Sequence, residues 1–317
     1  MGTMLDSVNK FEIGVITFVT SIFNASSSCL MLLSGYFGIK RSIKKLISLE
    51  CIVLFWSFIN GIFCVIQGSA FGRDAVVRMF FPTLSGGHWF VSGYIVIMLF
   101  APYINSWIVK TEKCKFREAL ILGGAVFYVF PTIFYVDFTG SGGKNIIYLL
   151  ILYLVGRYIR IYQMPQMFTI RIAMVCYIGL ALLTFCLNMF AEKIGMRFAF
   201  SRDCSIFILL QAVLLIVIFE KVSVQSNIVN HLSGNIISVI LGEQFARRII
   251  ESVMLNYNVE NTWWISCILE VILVFILCMV IDRLRKFIGN RAEVFWGNKL
   301  EYFIREVQNN DRIKDPN

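Results

Sequence analysis

The chain carries few charges for its length. Asp, Glu, Lys and Arg make up 15% of its 317 residues, whereas a soluble domain carries roughly a quarter. Proline is also scarce, with five residues, and no Ser/Gly-rich linker divides the sequence. The nine cysteines include no C-x-x-C pair, so neither a zinc site nor a disulfide framework is indicated. These shortages argue against a soluble, multidomain or metal-centred protein.

The sequence is rich in long apolar runs. Hydrophobic residues make up 58% of the chain, and its mean hydropathy is +0.74. Runs of about 17–25 apolar residues recur, which is the length that crosses a bilayer. We predict an all-α, polytopic integral membrane helix bundle over residues 1–286 and a cytoplasmic C-terminal tail over 287–317. The bundle is expected to have about nine transmembrane helices, at 11–37, 46–66, 88–109, 118–136, 146–160, 171–190, 204–220, 233–254 and 262–282.

The net charge of +9 is explained by the rule that cytoplasmic loops of membrane proteins are rich in Lys and Arg. It predicts contact with membrane lipid and requires no nucleic acid. The segments predicted to be cytoplasmic are 38–46, 110–117, 157–171, 221–232 and 283–317. The C-terminus is then cytoplasmic, and the N-terminus and the loop 255–261 are outside. The segment 191–203 is the exception, because it is predicted to be outside yet contains Lys193, Arg197 and Arg202.

One of the two histidines, His88, precedes Trp89 at the start of a predicted span. Histidine titrates nearest neutral pH and can act as a base, and tryptophan prefers the membrane interface. His88 is therefore a candidate base, although an interfacial hydrogen-bonding role is the more common use of such a residue. The other histidine, His231, is expected to be a solvated residue at a helix start.

The first predicted span is interrupted by polar residues at 24–28, Asn-Ala-Ser-Ser-Ser. Small and polar residues at membrane depth are tolerated where they face protein or water. Two interpretations remain open, helix–helix packing and a broken helix that lines a cavity.

Four motifs in order resemble acyltransferase family 3, whose members are integral membrane enzymes that acylate sugars of bacterial surface polysaccharides and related glycans. The likeness extends over roughly residues 24–282. The motifs are Leu33-Ser34-Gly35-Tyr36-Phe37-Gly38-Ile39-Lys40, the basic stretch Lys40-Arg41-Ser42-Ile43-Lys44-Lys45, His88-Trp89-Phe90 with Pro102 and Asn105, and Tyr153-Leu154-Val155-Gly156-Arg157-Tyr158-Ile159.

The resemblance implies an O-acyltransferase, in the first instance an O-acetyltransferase, in the bacterial inner membrane. It implies acyl-coenzyme A as donor substrate, a polysaccharide or lipid-linked glycan as acceptor, and no bound cofactor or metal. Arg41, Lys44 and Lys45 would hold the phosphates of the donor, although plain anchoring to the cytoplasmic membrane surface explains them equally. The other residues that it implies are Arg78 and Trp89 for glycan binding and Ser34, Gly35, Tyr36, Phe90 and Pro102 as structural motif residues.

Two departures from the family pattern bear on catalysis. Family members normally begin with a further helix that carries an arginine and the catalytic histidine, and Met1–Phe23 supplies neither residue. The segment that corresponds to a later histidine motif is Val239-Ile240-Leu241-Gly242-Glu243, without histidine. His88 is then the base candidate by default. A catalytically inactive relative with a structural role, or a glycan or lipid transporter, is the alternative.

Overall fold

The computed structural model describes residues 10–68, 72–223, 225–254 and 263–314, and no strand occurs among them. The predicted outer N-terminus and the predicted outer loop 255–261 lie outside the described residues. The helices are α1 Lys10–Phe23, α2 Ser26–Phe37, α3 Ile43–Ile66, α4 Arg73–Phe80, α5 Trp89–Lys110, α6 Lys113–Gly124, α7 Phe130–Phe134, α8 Ile146–Ile161, α9 Ile170–Lys193, α10 Ile206–Glu220, α11 Asn227–Ser233, α12 Ile236–Met254 and α13 Trp263–Lys314. The all-α membrane fold predicted from the sequence is confirmed.

Five helical stretches within the described residues are long and apolar enough to cross a membrane. A sixth helix, α10, is apolar but shorter. The other three predicted spans coincide with α8, α12 and the first part of α13. The five long stretches are Phe11–Phe37, Ile43–Ile66, Trp89–Lys110, Lys113–Phe134 and Ile170–Lys193.

Two segments differ from the sequence expectation. The region between the second and third predicted spans contains α4, an amphipathic helix of eight residues that the hydropathy pattern does not reveal. Helix α13 runs for 52 residues and passes the predicted boundary at 286/287 without a break. The helix thus joins the last apolar stretch to the charged tail, while the division into two domains stays a prediction.

The polar interruption of the first span is a real break, with a turn at Asn24 and Ala25 between α1 and α2. Its side chains are used for packing. Asn24 donates a hydrogen bond to the carbonyl oxygen of Ser201, and the Ser27 hydroxyl donates to Asp203 at 3.2 Å. The helix is therefore broken, as one interpretation held, and its polar residues satisfy protein groups, as the other held.

The arginines of the exceptional segment 191–203 have local partners. Arg197 is paired with Glu192 at 2.5 Å. Arg202 donates to the carbonyl oxygen of Pro131 at 2.6 Å, and its guanidinium lies 3.9 Å from the ring centre of Tyr135. Because both positive charges are engaged in these contacts, the two arginines are weaker evidence about which side of the membrane this segment occupies than unpaired basic residues of a loop would be.

The chain divides into two compact units. The first comprises residues 1–41 and 89–224, and the close packing of α2 on α8 is its main feature. A Cβ atom on Gly156 would lie 2.2 Å from the carbonyl oxygen of Leu32, and one on Gly35 would lie 2.2 Å from that of Tyr153. Only glycine at both positions lets the two backbones approach this closely.

The second unit comprises residues 42–88 and 225–317 and is built on α3, α4, α12 and α13. Trp56 of α3 is completely buried. Its ring occupies the space that a side chain at Gly242 of α12 would need, since a Cβ there would lie 2.6 Å from the ring. Gly242 therefore allows the close contact between α3 and α12. It belongs to the segment 239–243, which contains no histidine.

Candidate functional site

Three of the motifs meet in the first unit, through a ring of hydrogen bonds that we call the motif junction and define as Ile39, Asn105 and Tyr153. The Tyr153 hydroxyl donates to Asn105 Oδ1 at 2.7 Å and accepts from the backbone N–H of Ile39 at 3.3 Å. The Asn105 amide donates to the carbonyl oxygen of Ile39 at 3.1 Å. Each residue is thus bonded to the other two, and the junction orients the chain that leaves α2.

Two arginines of α8 lie beside this exit from α2. Arg160 donates to the Tyr36 hydroxyl at 3.1 Å, and its guanidinium lies 5.1 Å from the centre of that ring. The Arg157 guanidinium fills the space beside Gly38, where a Cβ would lie 2.7 Å from it. Gly38 also has a φ of +77°, which disfavours other residues. Tyr36 is thus bonded to one of these arginines and Gly38 leaves space for the other, while the structural role of Tyr36 stays a prediction.

A cavity of about 510 Å³ lies within the second unit. We call it the second-unit cavity. It combines a histidine, a serine, two guanidinium groups and two amide side chains. These residues are Ser57, Asn60, Arg78, His88, Gln244 and Arg248.

His88 reaches the cavity because the preceding segment folds into successive turns. Gly86 adopts a φ of +67°, and the Gly87 N–H donates to the carbonyl oxygen of Pro82 at 3.1 Å. The Thr83 hydroxyl donates to Glu50 of α3 at 2.8 Å, which ties these turns to that helix. His88 then ends the segment beside α3, immediately before α5 begins.

The imidazole of His88 is half-buried against α3, and its Nε2 lies 3.3 Å from the Ser57 hydroxyl oxygen. Ser57 itself is buried, with 7% of its surface exposed. Burial lowers the pKa of His88 below its ordinary value of 6.5, because desolvation disfavours the charged imidazolium. At neutral pH the ring is therefore neutral and has a nitrogen lone pair that can accept a proton.

Two cations give the cavity wall its electrostatic character. Arg78 comes from α4 and Arg248 from α12, and Asp74 is the one carboxylate among the residues described at the wall. A terminal nitrogen of Arg248 lies 3.3 Å from the Cys64 sulfur. Guanidinium groups bind phosphate and carboxylate through paired hydrogen bonds, so the wall suits an anionic, hydroxyl-bearing ligand.

The structure distributes the predicted site residues over both units. His88 and Arg78 line the second-unit cavity together. Trp89 and Phe90 open α5 in the first unit, where their rings lie edge to face at 5.7 Å. Pro102 lies inside α5, one turn before Asn105 of the motif junction.

The predicted donor-binding residues belong to different units. Arg41 ends the first unit, and Lys44 and Lys45 begin α3 in the second. All three side chains are exposed. The Lys44 ammonium is paired with Glu301 of α13 at 3.2 Å, so a phosphate that binds Lys44 competes with this carboxylate for its charge.

Two features of the cavity escape sequence reasoning. Ser57 lies in an apolar helix with no motif around it, and Gln244 belongs to α12, far along the chain. Arg248 does carry a signal, because Glu243 and the pair Arg247-Arg248 are ionisable residues within or near a predicted span, which makes them functional candidates. The i,i+4 spacing suggests that Glu243 neutralises Arg247, but Arg247 is instead paired with Glu270 of α13 at 3.2 Å. The neighbouring Arg248 is directed to the cavity. The i,i+4 spacing of Gln244 and Arg248 places both on one helix face, and this signal could have indicated Gln244.

Comparison with known proteins identifies one family. A family model described as an acyltransferase domain matches residues 5–283, which is most of the chain. Comparison with curated proteins and with solved structures finds no match.

Proposed function

Because the chain belongs to acyltransferase family 3, we propose that it is a membrane O-acyltransferase. It moves an acyl group, in the first instance acetyl, from acyl-coenzyme A to a hydroxyl of a bacterial surface or lipid-linked polysaccharide. The membrane is the bacterial inner membrane, with the C-terminus in the cytoplasm. The observation that carries this proposal is the second-unit cavity, which brings His88 together with Arg78 and Arg248.

The cavity supports the chemistry as follows. O-acylation requires a base that removes a proton from the attacking hydroxyl while its oxygen forms a bond to the thioester carbonyl carbon. The thiolate of coenzyme A then leaves and is protonated. A neutral, half-buried imidazole is suited to the first step, and its imidazolium form can return the proton to the thiolate. The role assigned to His88 is this proton transfer.

Arg78 and Arg248 indicate the class of acceptor. Two guanidinium groups against one carboxylate give the wall described here a positive character. A glycan that carries a phosphate, a pyrophosphate-linked lipid or a sugar carboxylate matches it. Trp89, at the next position after His88, is proposed to contact the sugar. For the donor, Arg41, Lys44 and Lys45 are proposed to bind the phosphates of coenzyme A.

The test is acetyl transfer from labelled acetyl-coenzyme A to endogenous glycan in membranes that contain the protein. His88→Ala should lower the rate by about 10²–10⁴-fold, the usual contribution of a general base. His231→Ala is the matched control, since it removes the only other histidine and lies on α11, away from the cavity wall. Full transfer by a correctly inserted His88→Ala protein would show that His88 is not the catalytic base.

A further inference from the structure

The hydroxyl of Ser57 has an unusual partner for a serine within an apolar helix. Such hydroxyls commonly bond back to the carbonyl oxygen one turn earlier. Ser34 and Thr184 do so here, to Leu30 at 2.9 Å and to Leu180 at 2.8 Å. The Ser57 hydroxyl is directed to a ring nitrogen of His88, which belongs to another segment.

A hydroxyl beside a neutral imidazole is the arrangement that activates a weak oxygen nucleophile. The separation of 3.3 Å between Ser57 Oγ and His88 Nε2 is slightly longer than a tight catalytic hydrogen bond. Such contacts are often longer before substrate binds. Both residues line the second-unit cavity, so an ester formed on Ser57 has space to extend into it.

We propose that Ser57 is the nucleophile that first receives the acyl group, so that transfer proceeds by double displacement through an acyl-Ser57 ester. The inference rests on the proposed function and keeps His88 as the base, but it replaces direct attack of the acceptor on the thioester by two successive transfers. In the first half, His88 takes the Ser57 proton and Oγ forms a bond to the thioester carbonyl carbon. The carbon–sulfur bond breaks, and coenzyme A leaves as the thiol with the proton from His88.

The second half returns the serine. His88 takes the proton of the acceptor hydroxyl, whose oxygen forms a bond to the carbonyl carbon of the acyl-serine. The bond from this carbon to Ser57 Oγ breaks, and Oγ regains a proton from His88. The products are the O-acylated glycan and free Ser57, and no oxidant, reductant or further reactant is needed.

The size of the second-unit cavity favours a reaction in which donor and acceptor bind one after the other. A volume of about 510 Å³ is within the range of pockets that hold one drug-sized ligand. Coenzyme A, with its nucleotide, pyrophosphate and pantetheine arms, is longer than such a cavity, and a glycan acceptor is also large. With an acyl-serine, the two substrates can place their reacting ends in the cavity one after the other. Only the acyl group must stay in the cavity between the departure of coenzyme A and the arrival of the acceptor.

The experiment is to incubate the purified full-length protein with radiolabelled acetyl-coenzyme A in the absence of acceptor. The protein is then denatured, its covalent label is counted, and the labelled peptide is mapped by mass spectrometry. We expect up to one acetyl group per protein on Ser57 and its release when glycan is added. Ser57→Ala should lose the label and lower transfer to background. The control Ser48→Ala, in the same helix, should keep both.

Ser57→Cys guards against a Ser57→Ala protein that does not fold. A thiol at this position should accumulate an acetyl thioester that hydroxylamine releases. Glycan transfer that continues in a folded Ser57→Ala protein, or wild-type transfer with no label on Ser57, would overturn the acyl-serine and leave His88 as base. Wild-type protein with neither transfer nor label would refute the proposed function itself, and the acyl-serine with it.

Discussion

The contact between α2 and α8 allows a sharp test of the fold, through the substitution Gly156→Ala. The new Cβ would lie 2.2 Å from the carbonyl oxygen of Leu32 and 2.8 Å from the backbone nitrogen of Tyr36. Ordinary van der Waals contact begins at 3.4 Å, so the first distance falls 1.2 Å short. Both obstructing atoms belong to the backbone, and no side chain can rotate away. The two helices must therefore separate.

Overpacking of this kind costs about 1–3 kcal/mol, and we expect the upper part of that range because the clash is with backbone. The higher helix propensity of alanine offsets up to about 1 kcal/mol. For a chain of 317 residues, a net loss of about 2 kcal/mol corresponds to a fall of about 3 °C in the apparent Tm. Thermal unfolding in detergent, followed by size-exclusion chromatography, measures this shift.

Gly179→Ala in α9 is the matched control. It makes the same chemical change in a membrane helix of the same unit, and a Cβ there would have no heavy atom within 4 Å. Its apparent Tm should stay constant or rise by about 1 °C. Equal melting temperatures for Gly156→Ala and Gly179→Ala would show that the close approach of α2 and α8 is not as described here.

Two further predictions concern the cavity and the motif junction. Burial lowers the pKa of His88 below 6.5, so the neutral ring favours the folded state. The stability of the protein should therefore hold at neutral pH and decline as the pH falls through 6.5, the ordinary pKa of histidine, and the acid limb of kcat/KM for transfer should lie below pH 6.5. A kcat/KM whose acid limb lies above pH 6.5 would contradict this environment for His88. Tyr153→Phe removes the hydroxyl that bonds to Asn105 and Ile39 and should cost about 1–3 kcal/mol of stability. The melting temperature measures this loss, and a variant as stable as wild type would show that the junction contributes no net stability.

The sequence motifs predict which segments are important but not how they function. Gly35 and Gly156 are motif residues, and the structure explains them by backbone approach between α2 and α8. Tyr153 and Asn105 belong to different motifs and form one hydrogen-bonded group. No spacing rule relates positions 48 residues apart, so this pairing could not be read from the chain.

The residues that line the second-unit cavity were also only partly predictable from the sequence. His88 is a candidate on the sequence because histidine is rare here and adjoins a motif. Ser57 carries no comparable signal, since it is one serine within an apolar helix. Arg248 approaches Cys64, which is 184 positions away, only because Gly242 and Trp56 bring α12 against α3.

The sequence by itself determined the membrane location of the protein, its all-helical class and its family. The physical reason is that hydropathy and helical periodicity are local properties, which a window of about 20 residues already contains. Only the tertiary structure decided which polar groups meet. Partner choice in an apolar bundle depends on where small residues let helices approach. The contact of Ser57 with His88 and the ion pair of Arg247 with Glu270 follow from that packing.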